Sequence, residues 1–397
     1  MEEWKEYRLG AICRLSAGGD APHNAVKKPT ADMTVPIYSN GENEKGLYGY
    51  TDSHKIEAPA VTISARGNIG YVCYRKENFV PIVRLITAKA NEQILSNEFL
   101  YYCLCNTHIW GDGSVQKQLT VPMISEYIVR IPPLNIQSKI VHVLKSLDDK
   151  IEVNRRINDN LEQQAQALFK SWFVDFEPFR NGEFVDSELG RIPKGWGVKL
   201  FKDVCDNITD GVHNTVKDDL DGDYYLLSCK NIKGGFVSIG DNERRISKET
   251  FDKLRKRTKM QKGDILLSSV GTIGEIVLLN EEPSNYEFQR SVAILKPKKE
   301  LISSQFLYYS MDNQRDKIVH TAHGAVQQCI FISDVANFTT IYPPIEEIQR
   351  FTDFTLEIRN EISKNEQESL RLSELRDTLL PKLMSGELKV NDIEKNI

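Results

Sequence analysis

No apolar run in the chain approaches the ~20 residues that a membrane-spanning helix needs. The first ten residues, MEEWKEYRLG, are acidic and polar and do not resemble a secretory leader. The expected location is therefore cytoplasmic. Cysteine is sparse and scattered, at 13, 73, 103, 105, 205, 229 and 329, which reads as buried reduced thiols. Cys103, Cys105 and His108 supply three metal-ligand types but no fourth. Core packing on a helix accounts for them, and no metal centre is expected. Positive charge is not in excess either, the formal net charge being −5. Residues 1–131 hold 14 basic and 14 acidic side chains, and residues 181–342 hold 22 and 23. Only 253-KLRKRTKMQK-262 gathers cations, in Lys253, Arg255, Arg257 and Lys259. It reads equally as a solvated helix face or as a set of phosphate contacts.

Catalytic signatures are missing too. There is no Gly-x-Gly-x-x-Gly and no phosphate-binding Gly-x4-Gly-Lys-Ser/Thr loop. The Pro-Pro pairs at 132–133 and 343–344 lack the polar anchor and aromatic stacker of an amino-methyltransferase loop, and read as strand stops ahead of helices. Asp175 and Glu177 form a lone acidic pair beside aromatics. His320 and His323 are weakly spaced candidate ligands. A binding or scaffolding role is expected rather than an enzyme.

What the chain does have is a repeat. The stretch 64-SARGNIGYV-72 returns as 268-SSVGTIGEI-276, at an offset of 204. Trp4 and Cys13 return as Trp196 and Cys205 at 192; 95-LSNEFLYY-102 as 302-ISSQFLYY-309 at 207; 113-GSVQ-116 as 324-GAVQ-327 at 211. The offset grows and then stops growing, so insertions lie in the loops of the second copy. Two copies of a unit of roughly 190 residues follow.

Each copy opens with a mixed part. Runs such as 59-PAVTISA-65 and 264-DILLSS-269 read as strands, and the Gly-x-Ile-Gly phrase after each as a turn or a ligand-facing loop. Ser96, and Ser303 or Ser304, stand as N-caps of a short helix. Each copy closes with a long helix. Residues 136–172 contain neither Gly nor Pro, and apolar positions recur at 140, 144, 147 and 151, then at 161, 165, 168 and 172. That is a heptad seam. It recurs at offset 211 with two polar breaks, Thr355 and Arg376. Asn154 and Asn365 occupy equivalent seam positions at the helix midpoints, so an antiparallel pair predicts that they meet.

Two variable mixed domains, each followed by one long helix, resemble the specificity subunits of type I restriction-modification enzymes. The local carriers are 169-FKSWFVDFEPF-179 and 375-LRDTLLPKLMSGEL-388, with the repeated Phe-Leu-Tyr-Tyr, Gly-Ser/Ala-Val-Gln and Pro-Pro segments. The resemblance implies an α+β fold, with two similar target-recognition domains separated by two long antiparallel coiled-coil helices. Domains are expected at 1–134 and 183–344, with helices in 135–182 and 345–397. A non-catalytic DNA-recognition subunit is implied. It reads a bipartite double-stranded target and carries two adenine-methylating modification subunits and, beyond them, restriction subunits. S-adenosylmethionine, ATP and Mg belong on those partners, and no cofactor is implied in this chain. A helix of ~40 residues is ~60 Å long, on the scale of readers set one to two DNA turns apart. The alternatives are the recognition subunit of a type II system with a separate methyltransferase, and a coiled-coil adaptor that binds no DNA.

The polar turns 16-SAGGDAPHN-24 and 206-DNITDGVHN-214 are the candidate recognition loops. Candidate DNA contacts are His23, Asn24, Arg66, Asn68, Gln116, Lys117, His213, Asn214, Lys230, Asn231, Arg255, Arg257, Gln327 and Gln328. Asn and Gln pair bidentately with adenine, and Arg and Lys with guanine. Candidate docking residues for the modification subunits are Trp172, Phe173, Phe176, Phe179, Leu379, Leu380, Leu383 and Met384, whose apolar surface exceeds what a two-helix seam buries.

Overall fold

The computed structural model describes residues 4–112, 117–240, 242–324 and 328–390. The fold is α+β, and the chain divides into two compact units, Met1–Val153 with Glu368–Ile397, and Asn154–Gln367. Two long helices, Leu134–Phe173 and Ile345–Ser385, each contribute a segment to both units. Packing thus groups each mixed domain with helix segments, where the sequence suggested domain and helix as successive blocks.

The sheets repeat strand for strand. In the first unit a four-stranded antiparallel sheet runs in the spatial order Cys13–Ala17, Ile86–Ala90, Ala60–Ile63, Val72–Arg75. In the second the order is Cys205–Asp210, Val292–Pro297, Ile265–Ser268, Ile276–Leu278. A three-stranded sheet with one parallel pair accompanies each, through Val35–Tyr38 in one unit and Tyr224–Leu227 in the other. A two-stranded pair, Lys5–Arg8 with Ile128–Ile131 and Gly197–Leu200 with Thr339–Tyr342, closes each domain just before its Pro-Pro and long helix. The second unit inserts the hairpin Ile232–Val237 and the helix Lys248–Thr258 ahead of residue 268, where the offset grows from 192 to 204, and the helix Arg315–His320 lies where it grows from 207 to 211.

Alternation of side chains explains why Ile265–Ser268 is buried on both faces. Ile265 and Leu267 point into the core shared with the long helices, and Leu266 into a second core with Val277 and Ile294. The first core also receives the helix Ser304–Asn313, capped by the Ser303 hydroxyl, which accepts from the Phe306 N–H at 3.1 Å. Ser96 caps Asn97–Cys105 with the same geometry at 3.1 Å. Each cap contributes about 1 kcal/mol.

Within each unit the helix segments run antiparallel. Residues 148 and 150 meet 376 and 368, and residues 158 and 162 meet 365 and 359. The two polar breaks are satisfied: buried Thr355 bonds back to the Phe351 carbonyl at 3.0 Å, and Arg376 pairs with Asp148 at 2.8 Å. Asn154 and Asn365 do meet, both buried, with the Asn154 amide donating to the Asn365 carbonyl at 3.4 Å. The side-chain pairing falls one turn along, where Asn365 Nδ2 donates to Asn158 Oδ1 at 2.8 Å. Asn158 is the member of the cluster that the sequence did not announce.

Of the eight apolar residues singled out at the helix ends, four are buried within the chain and four are half-buried. Trp172 and Phe173 are buried against Phe351 and Phe306, while Phe176 and Phe179 pack on Trp196. Leu383 and Met384 are buried in the first unit's core, with Leu379 and Leu380 half-buried against it. Trp4 covers Gly386 where the second helix ends, as Trp196 covers the end of the first, which explains the repeated tryptophan. The reading of Trp172, Phe173, Leu383 and Met384 as free docking surface is corrected, since the mixed domain buries what the two-helix seam cannot, while Phe176, Phe179, Leu379 and Leu380 keep part of their surface open.

Candidate nucleic-acid interface

The repeated Gly-x-Ile-Gly phrase is the same turn in both units. The Ser64 N–H bonds to the Tyr71 carbonyl and the Gly70 N–H to the Ser64 carbonyl, at 2.9 and 3.0 Å. Ser268, Glu275 and Gly274 repeat the pattern at 2.9 and 3.1 Å. Gly70 and Gly274 lie at φ +87° and +92°, and a Cβ there would press on the Ile109 carbonyl or the Val319 side chain. Glycine is required by the backbone at these points.

Beside this turn lies a second loop arrangement that recurs in both units. Gly18 and Gly211 are pressed against the Pro81–Ile82 and Phe288–Gln289 backbones, too close for any Cβ. The chain then leaves Gly18–Gly19 alongside residues 82–84, with the Val83 N–H bonded to the Gly19 carbonyl at 2.8 Å. In the second unit the Arg290 N–H bonds to the Val212 carbonyl at 3.0 Å. Asn40 ties the first unit's loops together, accepting from the Ala65 N–H at 2.7 Å and donating to the Val83 carbonyl at 2.6 Å. Val83 and Arg84 are exposed and adopt left-handed φ of 52° and 62°. That conformation is strained for a β-branched residue. Arg290 is exposed at the position matching Val83, without the left-handed φ. Arg84 and Arg290 are the residues that sequence reasoning missed. They adjoin the proposed loops only through strand pairing, which no local motif reveals.

The sequence candidates fare unequally. Arg66 is half-buried and held by Gln118 Oε1 at 2.8 and 3.2 Å, and Asn68 and Lys117 are exposed beside it. His23, Asn214 and Gln328 are exposed in loops. His213 is exposed with its Nε2 on Asp210 at 2.6 Å. Lys230 is exposed and paired with Glu243 at 3.0 Å. Gln116 and Gln327 lie outside the described residues.

Two candidates, Asn231 and Arg255, are corrected, and two exposed ones, Arg257 and Asn24, are tied to neighbouring groups. Asn231 is buried, and its side-chain amide accepts from the Ser228 N–H and donates to the Ser238 carbonyl, so it shapes a turn. Arg255 bonds buried Glu287 and the Tyr286 carbonyl, so the middle of the basic cluster is a core ion pair. Arg257 is exposed and donates to the Asp210 and Gly211 carbonyls, which ties it to the loop 206–214. Asn24 is exposed, but its amide already bridges Thr51 and Asp52 at 2.9 and 2.8 Å.

The other chemical candidates are structural as well. Burial pushes the Cys103 thiol up to about 12, which leaves it protonated. His320 Nδ1 bonds the Asp316 carbonyl and His323 Nε2 the Asp334 carboxylate, so the two rings do not converge. Among the described residues no group of three or more His, Cys, Asp or Glu is arranged to hold a metal ion. Among them, too, no helix is long and apolar enough to cross a membrane.

A doubled mixed domain, each copy ending in a glycine-shaped loop surface studded with exposed cations and amides, defines a class: a tandem recognition protein built on long helices. Residues 1–163 and 193–372 match the type I restriction modification DNA specificity domain. The chain belongs to that family, and it is the non-catalytic DNA-recognition subunit of a type I restriction-modification system. The MjaIX specificity subunit of Methanocaldococcus jannaschii is 28% identical over 422 residues, which cover 99% of this chain and 95% of that one. The HindI specificity subunit of Haemophilus influenzae is 26% identical over 472 residues, covering 98% and 100%. The crystal structure of a type I restriction-modification S subunit from M. genitalium superimposes with a TM-score of 0.53 at 16% identity over 96% of both chains, a likeness of fold.

Proposed function

We propose that each mixed domain reads one half of a bipartite double-stranded DNA target through its glycine-shaped loops. The observation that carries this reading is that one backbone hydrogen-bond register is present twice, with different turn conformations and different side chains at its tips. Val83 and Arg84 occupy one tip, and Arg290 and Ser291 the other. A shared scaffold with unlike side chains suits two unlike half-sites. Arg66, Asn68, Lys117 and Arg84 are the contacts in the first domain. His213, Asn214, Lys230, Gln328 and Arg290 are those in the second. The chain works in the cytoplasm with two modification subunits, which supply adenine methylation and S-adenosylmethionine. Restriction subunits supply the ATP- and Mg-dependent steps. A gel shift of target DNA by this chain with its modification subunit tests the proposal. Affinity should fall steeply and log-linearly with salt. A complex that forms without shifting DNA, or a shift indifferent to salt, would contradict it.

A further inference from the structure

The helix seam carries a charge pattern that neither the heptad nor DNA reading requires. In the first unit Asp148 receives Arg376 at 2.8 Å and the Tyr102 hydroxyl at 2.7 Å. In the second, Glu162 receives Arg359 at 2.8 Å and the hydroxyls of Tyr308 and Tyr309 at 3.1 and 3.4 Å. Both acids stand on the first long helix and both arginines on the second. The sites are well shielded: Arg359 is 6% exposed and Glu162 21%, with Arg376 and Asp148 at 28% and 25%.

The internal repeat gives this arrangement a consequence. At offset 211, Asp148 and Arg359 are the same seam position. That position faces two others, 162 or 373 and 165 or 376, as the two observed pairs show. Pairing the N-terminal half with a second copy of itself would set Asp148 against Glu162 and Ala165. Pairing the C-terminal half with itself would set Arg359 against Arg376 and Ser373. Each homotypic seam places like charges together in a shielded site, while the heterotypic seam satisfies both. We infer that the seam is a charge-coded interface: the N-terminal half of this chain accepts a C-terminal half carrying the two arginines, and each half rejects a second copy of itself. The code keeps both recognition domains in one asymmetric subunit. A half-length relative meeting this chain would be accepted only with the complementary charges. Opposed like charges are the element that confers such selectivity.

The test uses the full chain with a protease site placed between Asn181 and Gly182, both exposed. Two preparations, tagged differently on the N-terminal half, are cleaved, mixed in mild denaturant and returned to buffer. Capture on one tag should recover the C-terminal half in at least about tenfold excess over the other tagged N-terminal half. Equal recovery of the two would overturn the inference. A second measurement covers fragments that do not exchange. In the intact chain, Arg359→Glu with Arg376→Glu should lower the melting temperature. Adding Asp148→Arg with Glu162→Arg should restore most of the loss. If the fourfold variant melts no higher than the twofold one, the charge code is wrong. Both readouts concern assembly alone and are independent of whether the protein binds DNA.

Discussion

Arg255 separates a DNA contact from a structural cation. Its guanidinium leaves the helix Lys248–Thr258, stacks over Phe251 at 4.9 Å, and bonds the Glu287 carboxylate and the Tyr286 carbonyl. Glu287 is 0% exposed and also accepts from Thr258 Oγ1 at 3.0 and 3.1 Å. Arg255→Ala removes the charge that makes this burial tolerable. Breaking a buried pair from one side costs about 3–5 kcal/mol. At about 2–4 °C per kcal/mol for a unit of this size, melting should drop by roughly 6–20 °C. Burial already raises the Glu287 pKa, with Arg255 pulling it down, so the variant raises it further. A carboxyl with a raised folded pKa contributes stability that is full below its unfolded pKa and lost as pH rises. The Arg255→Ala deficit should therefore be largest at neutral pH and shrink as pH falls toward the ordinary glutamate range. Replacing both partners, Arg255→Met with Glu287→Leu, should recover most of the loss. Thermal melts across pH read stability, and a DNA gel shift at a temperature where the variant is folded reads affinity. An unchanged melting temperature with a tenfold loss of DNA affinity would refute the structural assignment.

Three further outcomes follow from the packing. Phe351→Ala empties the centre of the ring cluster of Phe169, Trp172, Phe173, Phe306 and Tyr309, and should cost about 3–5 kcal/mol by thermal or urea unfolding. Glu366, pushed up to about 7 chiefly by burial, contributes stability below its ordinary range that is lost as pH rises to about 7. Glu366→Gln should thus melt higher than the parent near pH 8 and show a flatter pH profile. Arg84→Ala and Arg290→Ala should each weaken target binding by about tenfold, lowering the salt slope by about 0.9 where the lost contact is to phosphate, with melting unchanged.

The sequence carried the architecture because the repeat survives wherever the backbone demands it. Gly70 and Gly274 need their φ, Ser96 and Ser303 their cap geometry, and the seam its apolar positions, so all three were legible. Their equivalents could be aligned without any structure. The site was less legible because charge and polarity along the chain do not say which way a side chain faces. Arg255 and Asn231 look like contacts in a basic or polar stretch, yet they serve buried Glu287 and a local turn. Trp172 and Leu383 look surplus to a two-helix seam because the domains that bury them are distant in sequence. Arg84 and Arg290 were passed over for the converse reason: their loops meet Gly18–Gly19 and Gly211–Val212 only through long-range strand pairing.

Exchange of one recognition domain tests the central claim most directly. Residues 197–342, bounded by the paired strands Gly197–Leu200 and Thr339–Tyr342, are replaced by the corresponding segment of another family member. Methylated adenines are then sequenced in cells that carry the hybrid with its modification subunit. If each domain reads its own half-site, one half of the bipartite motif changes and the other half is retained. A hybrid that modifies DNA with both halves altered, or with neither altered, would contradict the account.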